Sequence, residues 1–264
     1  MRPPPRSAAP PGSGRPPGPL FARFSGAAPD GTRLYCFPYA GGGTQMFRGW
    51  SSRVPPGVGV TGIRLPGREQ RFREPALDSW PDALAVLVEA LAQETGDGPY
   101  AFFGHSLGAR LAYEVAHRLA GAGRRPPELL VVSACRAPGV EPRTAPMHTM
   151  DGPTLRRRLR EMDGVPAEVL ADRALMAVLE PTLRADLRLA ETWRPSPGRI
   201  DAPILALCGD DDDIDPYEDM IPWKNHTTAG FTIQAFPAGH FFPRDEEEAV
   251  LAAISAGLTA KGAR

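Results

Sequence analysis

Cysteine is scarce in this chain. Cys36, Cys135 and Cys208 are the whole complement in 264 residues, an odd number with no CxxC pair, which excludes a disulfide framework and a paired-thiolate metal site. Each falls in an apolar run that reads as a strand, so three buried free thiols in a reducing cytoplasm are expected. Net charge is equally slight. Thirty Lys and Arg against 31 Asp and Glu leave −1, giving neither the basic field that binds nucleic acid nor a polybasic patch for a membrane surface. No apolar run is long enough for a membrane span or a signal-peptide core. There is no internal repeat, and the Gly41-Gly42-Gly43 tract has neither GxGxxG spacing nor a following Gly-Lys-Ser/Thr, so it reads as neither a dinucleotide loop nor a P-loop.

What is present is the composition of one large soluble domain, 42% hydrophobic and 23% charged, able to bury a sizeable core. Residues 1–22 form a Pro-rich leader, with eight prolines and three glycines in the first twenty positions, and are expected to be disordered. From residue 23 to 264, short β-branched and aromatic runs alternate with longer amphipathic ones, which calls for an α/β fold with a mostly parallel sheet between helices. Strands are predicted at 33–37, 58–64, 100–104, 129–134, 204–208 and 231–236. Helices are predicted at 79–93, 107–119 and 245–258, where Leu, Val and Ile recur at helical spacing. From about Thr149 to Trp193 no strand is evident, and Leu155, Leu159, Met162, Val169, Leu170, Leu175, Met176, Leu179, Leu183 and Leu187 punctuate charged residues. This stretch, bounded at about 145–195, reads as a helical insertion lying over the carboxyl ends of the strands as a lid.

The sharpest motif is Gly104-His105-Ser106-Leu107-Gly108, between a strand and an amphipathic helix. That is the setting of a nucleophile elbow, where small neighbours let the backbone turn tightly around an exposed serine. It points to the α/β-hydrolase fold with Ser106 as nucleophile. Serine needs a base, and in this fold the order along the chain is Ser, then Asp or Glu, then His. His105 and His117 precede or accompany the elbow helix and are unsuited. His148 lacks a strand before it and His226 precedes the last strand, which leaves His240, after the last strand and beside Gly239. The acid belongs after the penultimate strand, where Asp210-Asp211-Asp212-Asp213 begins, followed by Asp215. One of these carboxylates would orient the histidine while the others stay solvated. Calcium binding is excluded for this run because Pro216 and Pro222 fall where a calcium loop needs glycine and glutamate. No metal and no cofactor are expected. In the loop after the first core strand, Gly41-Gly42-Gly43 lets backbone N–H groups face a substrate oxygen, and the amides of Ala40 and Leu107 would form an oxyanion hole.

Together these segments resemble the type II thioesterases, stand-alone editing enzymes of polyketide synthase and nonribosomal peptide synthetase pathways. The resemblance rests on Cys36-Phe37-Pro38-Tyr39-Ala40-Gly41-Gly42, on Leu65-Pro66-Gly67-Arg68-Glu69, and on the elbow with Ala109 and Tyr113-Glu114. It rests also on Pro181-Thr182-Leu183-Arg184-Ala185-Asp186, on His226-Thr227-Thr228 and on Gly239-His240-Phe241-Phe242. By position it implies Asp212 as the acid, with Asp213 still open because the proline usual at the next position is delayed to Pro216. It also implies hydrolysis of acyl thioesters from the phosphopantetheine arm of an acyl or peptidyl carrier protein, by a monomer. Arg64, Arg68, Arg71 and Arg73 form a basic cluster that reads either as a rim where an acidic carrier docks or as a solvated basic loop. A carboxylester hydrolase or an acyltransferase of the same fold would share the catalytic residues.

Overall fold

The computed structural model describes residues 18–28 and 30–259. In chain order the strands and helices are β1 (Phe21–Arg23), β2 (Arg33–Phe37), β3 (Gly59–Ile63), α1 (Trp80–Thr95), β4 (Tyr100–His105), α2 (Leu107–Gly121), β5 (Leu130–Ser133) and α3 (Gly152–Glu161), then α4 (Ala167–Ala171), α5 (Arg173–Glu191), β6 (Ile204–Gly209), α6 (Tyr217–Met220), β7 (Phe231–Phe236), α7 (Phe242–Asp245) and α8 (Glu247–Thr259). Among the described residues these strands form one sheet in the order β1-β3-β2-β4-β5-β6-β7, parallel except for β1. The order runs outward from the middle, which puts β2 beside β4 and the Gly41 loop beside the elbow.

Strand alternation sorts the core into two halves. Tyr35, Phe37 and Phe102 face α1 and α2, while Leu34, Cys36 and Phe103 face α8 and the aromatic pair Phe47 and Trp50. The inner strands are buried along their whole length, as a parallel sheet covered on both faces requires. Ser79 caps α1 by accepting the Asp82 N–H, and Asp172 caps α5 by accepting the Ala174 and Leu175 N–H groups, each satisfying donors the helix leaves open.

Three expectations need correction. Residues 1–17 lie outside the described residues, but 18–22, assigned to the leader, belong to the fold. Phe21–Arg23 pairs antiparallel with β3, and Pro19 O and Leu20 O accept from Arg64. Three residues are too few for periodicity to reveal a strand; the open edge of β3 supplies the partner groups. The last helix, α8, begins two residues later than expected, after the short α7, with Glu246 between them at φ −112° and ψ 30°. In the insertion, Leu155, Leu159, Leu170, Met176, Leu183 and Leu187 share a small core of their own, whereas Leu175 and Leu179 stand exposed with Val178. One face of α5 lies on the domain and the opposite face meets solvent, so leucine recurrence alone overstates its buried stripe.

Candidate active site

β4 ends one residue before Ser106. The serine takes φ 54° and ψ −113°, a left-handed conformation that costs of order 1–3 kcal/mol and survives only where the surroundings fix it. They do. The Ser106 N–H donates to Ser133 O at 2.8 Å, a Cβ on Gly104 would lie 2.2 Å from Gly108 O, and one on Gly108 would lie 2.1 Å from Phe37 O. Neither position admits a side chain, so the glycines let β4, α2 and the end of β2 converge, and the turn lifts Ser106 to a half-buried position on a cavity wall.

β6 and β7 run in parallel register, Gly209 opposite Phe236. Asp212 is three residues beyond one and His240 four beyond the other. A Cβ on Gly209 would sit 2.2 Å from Ala238 O, so the two loops touch, and Asp210 N and Asp211 N donate to Phe236 O and Ala238 O. This brings His240 Nδ1 within 2.8 Å of Asp212 Oδ2, with the histidine 8% and the aspartate 3% exposed. The other carboxylate oxygen, Oδ1, accepts the Ile214 and Asp215 amides at 2.8 and 3.0 Å. Burial pushes the Asp212 pKa up, but the hydrogen bond and charge of His240, with those amides, outweigh it and hold the carboxyl below its usual range. Asp213 is exposed, as are Asp210 and Asp211. Of the two acids left open by sequence, the structure brings Asp212 to His240.

Asp215 departs from the expectation that the remaining carboxylates stay solvated. It is 1% exposed and its Oδ1 lies 2.9 Å from Arg136 Nη1. His105 is engaged by Ser133, with Nδ1 2.9 Å from Ser133 Oγ, and its ring centroid lies 5.4 Å from that of His240. Burial, then the neighbouring His240, drives its pKa well below the ordinary histidine value. His148 pairs with Glu191, and His226 packs on Trp223, both apart from Asp212. The three thiols are free and buried, although Cys135 lies just past β5 rather than within a strand.

Ala40 lines the same cavity as Ser106 and His240. In the glycine loop, Gly42 N donates to Tyr39 O and Gly41 N to Asp186 Oδ2 at 2.7 Å. No hydrogen bond among the described residues engages the Ala40 N–H or the Leu107 N–H at the start of α2. Asp186 also receives both ends of the Arg68 guanidinium, at 2.7 and 2.8 Å, while Arg68 Nη1 reaches Gly42 O at 2.9 Å. The Pro-Gly-Arg and Leu-Arg-Ala-Asp segments thus meet each other, joining α5 to the glycine loop. This overturns the basic rim: Arg64, Arg68 and Arg71 are 4%, 8% and 9% exposed and pair inside the protein with Glu69, Asp186 and Glu74. Arg73 alone of the four is exposed. Buried guanidinium groups need internal carboxylates, and Glu69 and Glu74 supply them within a few residues.

The cavity has a volume of about 210 Å³. Leu159, Met162, Val165, Leu183 and Leu187 of the insertion give it an apolar wall. Arg110, Arg136, Glu191 and Asp215 line it as well; sequence reasoning passed over the first three and grouped Asp215 with the acidic run. The available signal was an arginine on the buried elbow helix, between Ala109 and Leu111.

Sheet order, crossover helices and a strained serine at a strand–helix turn define an α/β hydrolase. The thioesterase domain family model matches residues 32–258, and the chain belongs to the thioesterase family, a hydrolase acting on thioesters. It is 35% identical over 226 residues to thioesterase PikA5 of Streptomyces venezuelae, covering 85% of this chain and 80% of that protein. The type II thioesterase BorB from the borrelidin biosynthetic cluster superimposes with a TM-score of 0.82 at 33% identity, over 90% of this chain and 97% of BorB. RedJ, the thioesterase from the prodiginine pathway of Streptomyces coelicolor, does so with 0.80 at 36% identity, over 96% and 97%. Among the described residues no helix is long and apolar enough to cross a membrane.

Proposed function

We propose that the protein is a cytoplasmic editing thioesterase that frees acyl groups from the phosphopantetheine arm of carrier proteins in polyketide or nonribosomal peptide assembly, with Ser106, His240 and Asp212 as its catalytic residues. The observation that carries this reading is the buried His240–Asp212 pair opening, beside Ser106, on a cavity walled by the insertion. With Nδ1 committed to Asp212, Nε2 of His240 is the nitrogen free to take the Ser106 proton. The Ser106 oxygen attacks the thioester carbonyl and forms a tetrahedral oxyanion. The amides of Ala40 and Leu107 stabilise it, the latter aided by the positive end of α2. Collapse breaks the C–S bond, and the imidazolium returns its proton to the pantetheine sulfur. Water, deprotonated by the same nitrogen, then hydrolyses the acyl-serine and restores the enzyme. Asp212 stabilises the imidazolium in both halves. Relatives named for gramicidin S biosynthesis and for the colibactin NRPS/PKS pathway support the carrier-bound substrate.

The test loads a carrier protein with a series of acyl groups and follows acid release by mass spectrometry, against Ser106→Ala. Release by the wild type, and a fall of about 10⁴-fold or more in the variant, are expected. Oxygen esters of the same acyl groups form the second arm. Equal or faster turnover of the oxygen ester, with the loaded carrier left intact, would replace this reading with a carboxylester hydrolase.

A further inference from the structure

Arg110 follows Ser106 by four residues on α2, so the two share a face of the helix, and both line the cavity. The arginine is 4% exposed. Its guanidinium stacks over Trp193, 5.6 Å from the ring centre, and Nη1 donates to Ala190 O. Nη2 stops 3.9 Å from Asp215 Oδ2, outside hydrogen-bond reach. Nε is buried with no partner among the described residues.

The neighbouring acids are already engaged. Asp215 has its close contact with Arg136. Glu191 Oε1 accepts the Met147 amide, and Oε2 accepts the His148 amide and lies against His148 Nδ1. Arg110 and Arg136 both have donors to spare here, Arg136 bonding through Nη1 alone, and Arg110 is the one set a helical turn from Ser106, with Nη2 as its unpaired outer donor. A buried guanidinium with idle N–H groups is costly, and an acceptor oxygen brought by a ligand removes that cost, whereas a methyl group leaves it in place.

Resting on the thioesterase reading above, we propose that Arg110 selects acyl groups that carry an acceptor oxygen beyond the thioester carbonyl, with a carboxylate bound best and a ketone bound less well. An acyl chain held in this cavity from Ser106 has Arg110 on the same lining, one turn along α2, where its far oxygen accepts from the guanidinium. An ammonium terminus is disfavoured, because Arg110 and Arg136 both border the same space.

The experiment uses pantetheine thioesters in matched pairs: succinyl, glutaryl and adipyl against 4-methylpentanoyl, 5-methylhexanoyl and 6-methylheptanoyl, whose branched ends copy the shape of a carboxylate. The 4-oxopentanoyl thioester separates ketone from carboxylate. For the wild type, kcat/KM favours the oxygenated member roughly 10- to 100-fold at one chain length or more. In Arg110→Met and Arg110→Gln that ratio falls at least 10-fold, with fluorophosphonate labelling of Ser106 reporting an intact site. A ratio that moves less than 3-fold, or variants that slow both members alike, would mean Arg110 merely pins α2 to α5, and the inference falls while the thioesterase stands. Should the variants not fold, the wild-type ratio decides, since no preference at any length overturns the inference. If the wild type hydrolyses none of these thioesters, the thioesterase reading itself is lost, and this one with it.

Discussion

Replacing Asp186 by alanine should unfasten the insertion from the catalytic loop, and the size of the effect follows from its partners. The carboxylate is 1% exposed and receives three hydrogen bonds, from Gly41 N and from both terminal nitrogens of Arg68, all between 2.7 and 2.8 Å. Its removal strands a guanidinium whose side chain is 9% exposed. Breaking one side of a buried ion pair costs about 3–5 kcal/mol, because the remaining charge is left without compensation. At roughly 2–4 °C per kcal/mol for a domain of this size, the midpoint of thermal unfolding should fall by about 6–20 °C. Urea denaturation followed by tryptophan fluorescence gives the same quantity independently. The double variant Arg68→Met/Asp186→Leu removes both charges and should regain most of the lost stability. It should not regain kcat/KM, since Gly41 N still lacks its acceptor and the loop carrying Ala40 is no longer held to α5. A cost below about 1 kcal/mol for the single variant, or a double variant no more stable than the single, would refute the reasoning.

Asp212→Asn should lower kcat by about 10⁴-fold by fixing the wrong His240 tautomer, while Asp213→Asn stays within a few-fold of wild type; steady-state hydrolysis of an acyl-pantetheine separates the two. A third prediction concerns acid. His105 has a folded-state pKa well below its ordinary value, whereas the unfolded chain takes up the proton near pH 6.5. Stability from this group is whole above about pH 6.5 and declines as the pH falls, by up to about 1.4 kcal/mol per pH unit. The lowered carboxyls, Asp151, Asp212, Glu69 and Glu74, contribute in the same direction only nearer pH 4. Thermal melts at pH 7.5, 6.5 and 5.5 should therefore show a slope in wild type that His105→Gln reduces, the remainder coming from His226, whose pKa burial also lowers, and an unchanged slope would remove the His105 imidazole from the account.

Much of this protein was legible one segment at a time. Where a feature depends on neighbours in the chain, its residues announce it: the glycines at 104 and 108 around Ser106, the alternation through 33–37 and 100–105, the leucine spacing of α1 and α2. Chain order isolated His240, because a hydrolase sheet places its base after the last strand. Other features were settled by tertiary contact. The family resemblance favoured Asp212 but left Asp213 open, and the parallel register of β6 and β7, with Gly209 against Ala238, is what turns Asp212 to the imidazole. The arginines at 64, 68 and 71 read as a basic surface because a sequence does not show which carboxylates fold over them; Asp186 lies 118 positions from Arg68. Residues 18–22 read as leader for the same reason, since a three-residue edge strand exists only where β3 offers it free hydrogen-bonding groups. Local backbone geometry and side-chain period are properties of short segments, whereas charge pairing and edge pairing arise between segments that meet only after the chain has folded, and those were the tertiary structure's to decide.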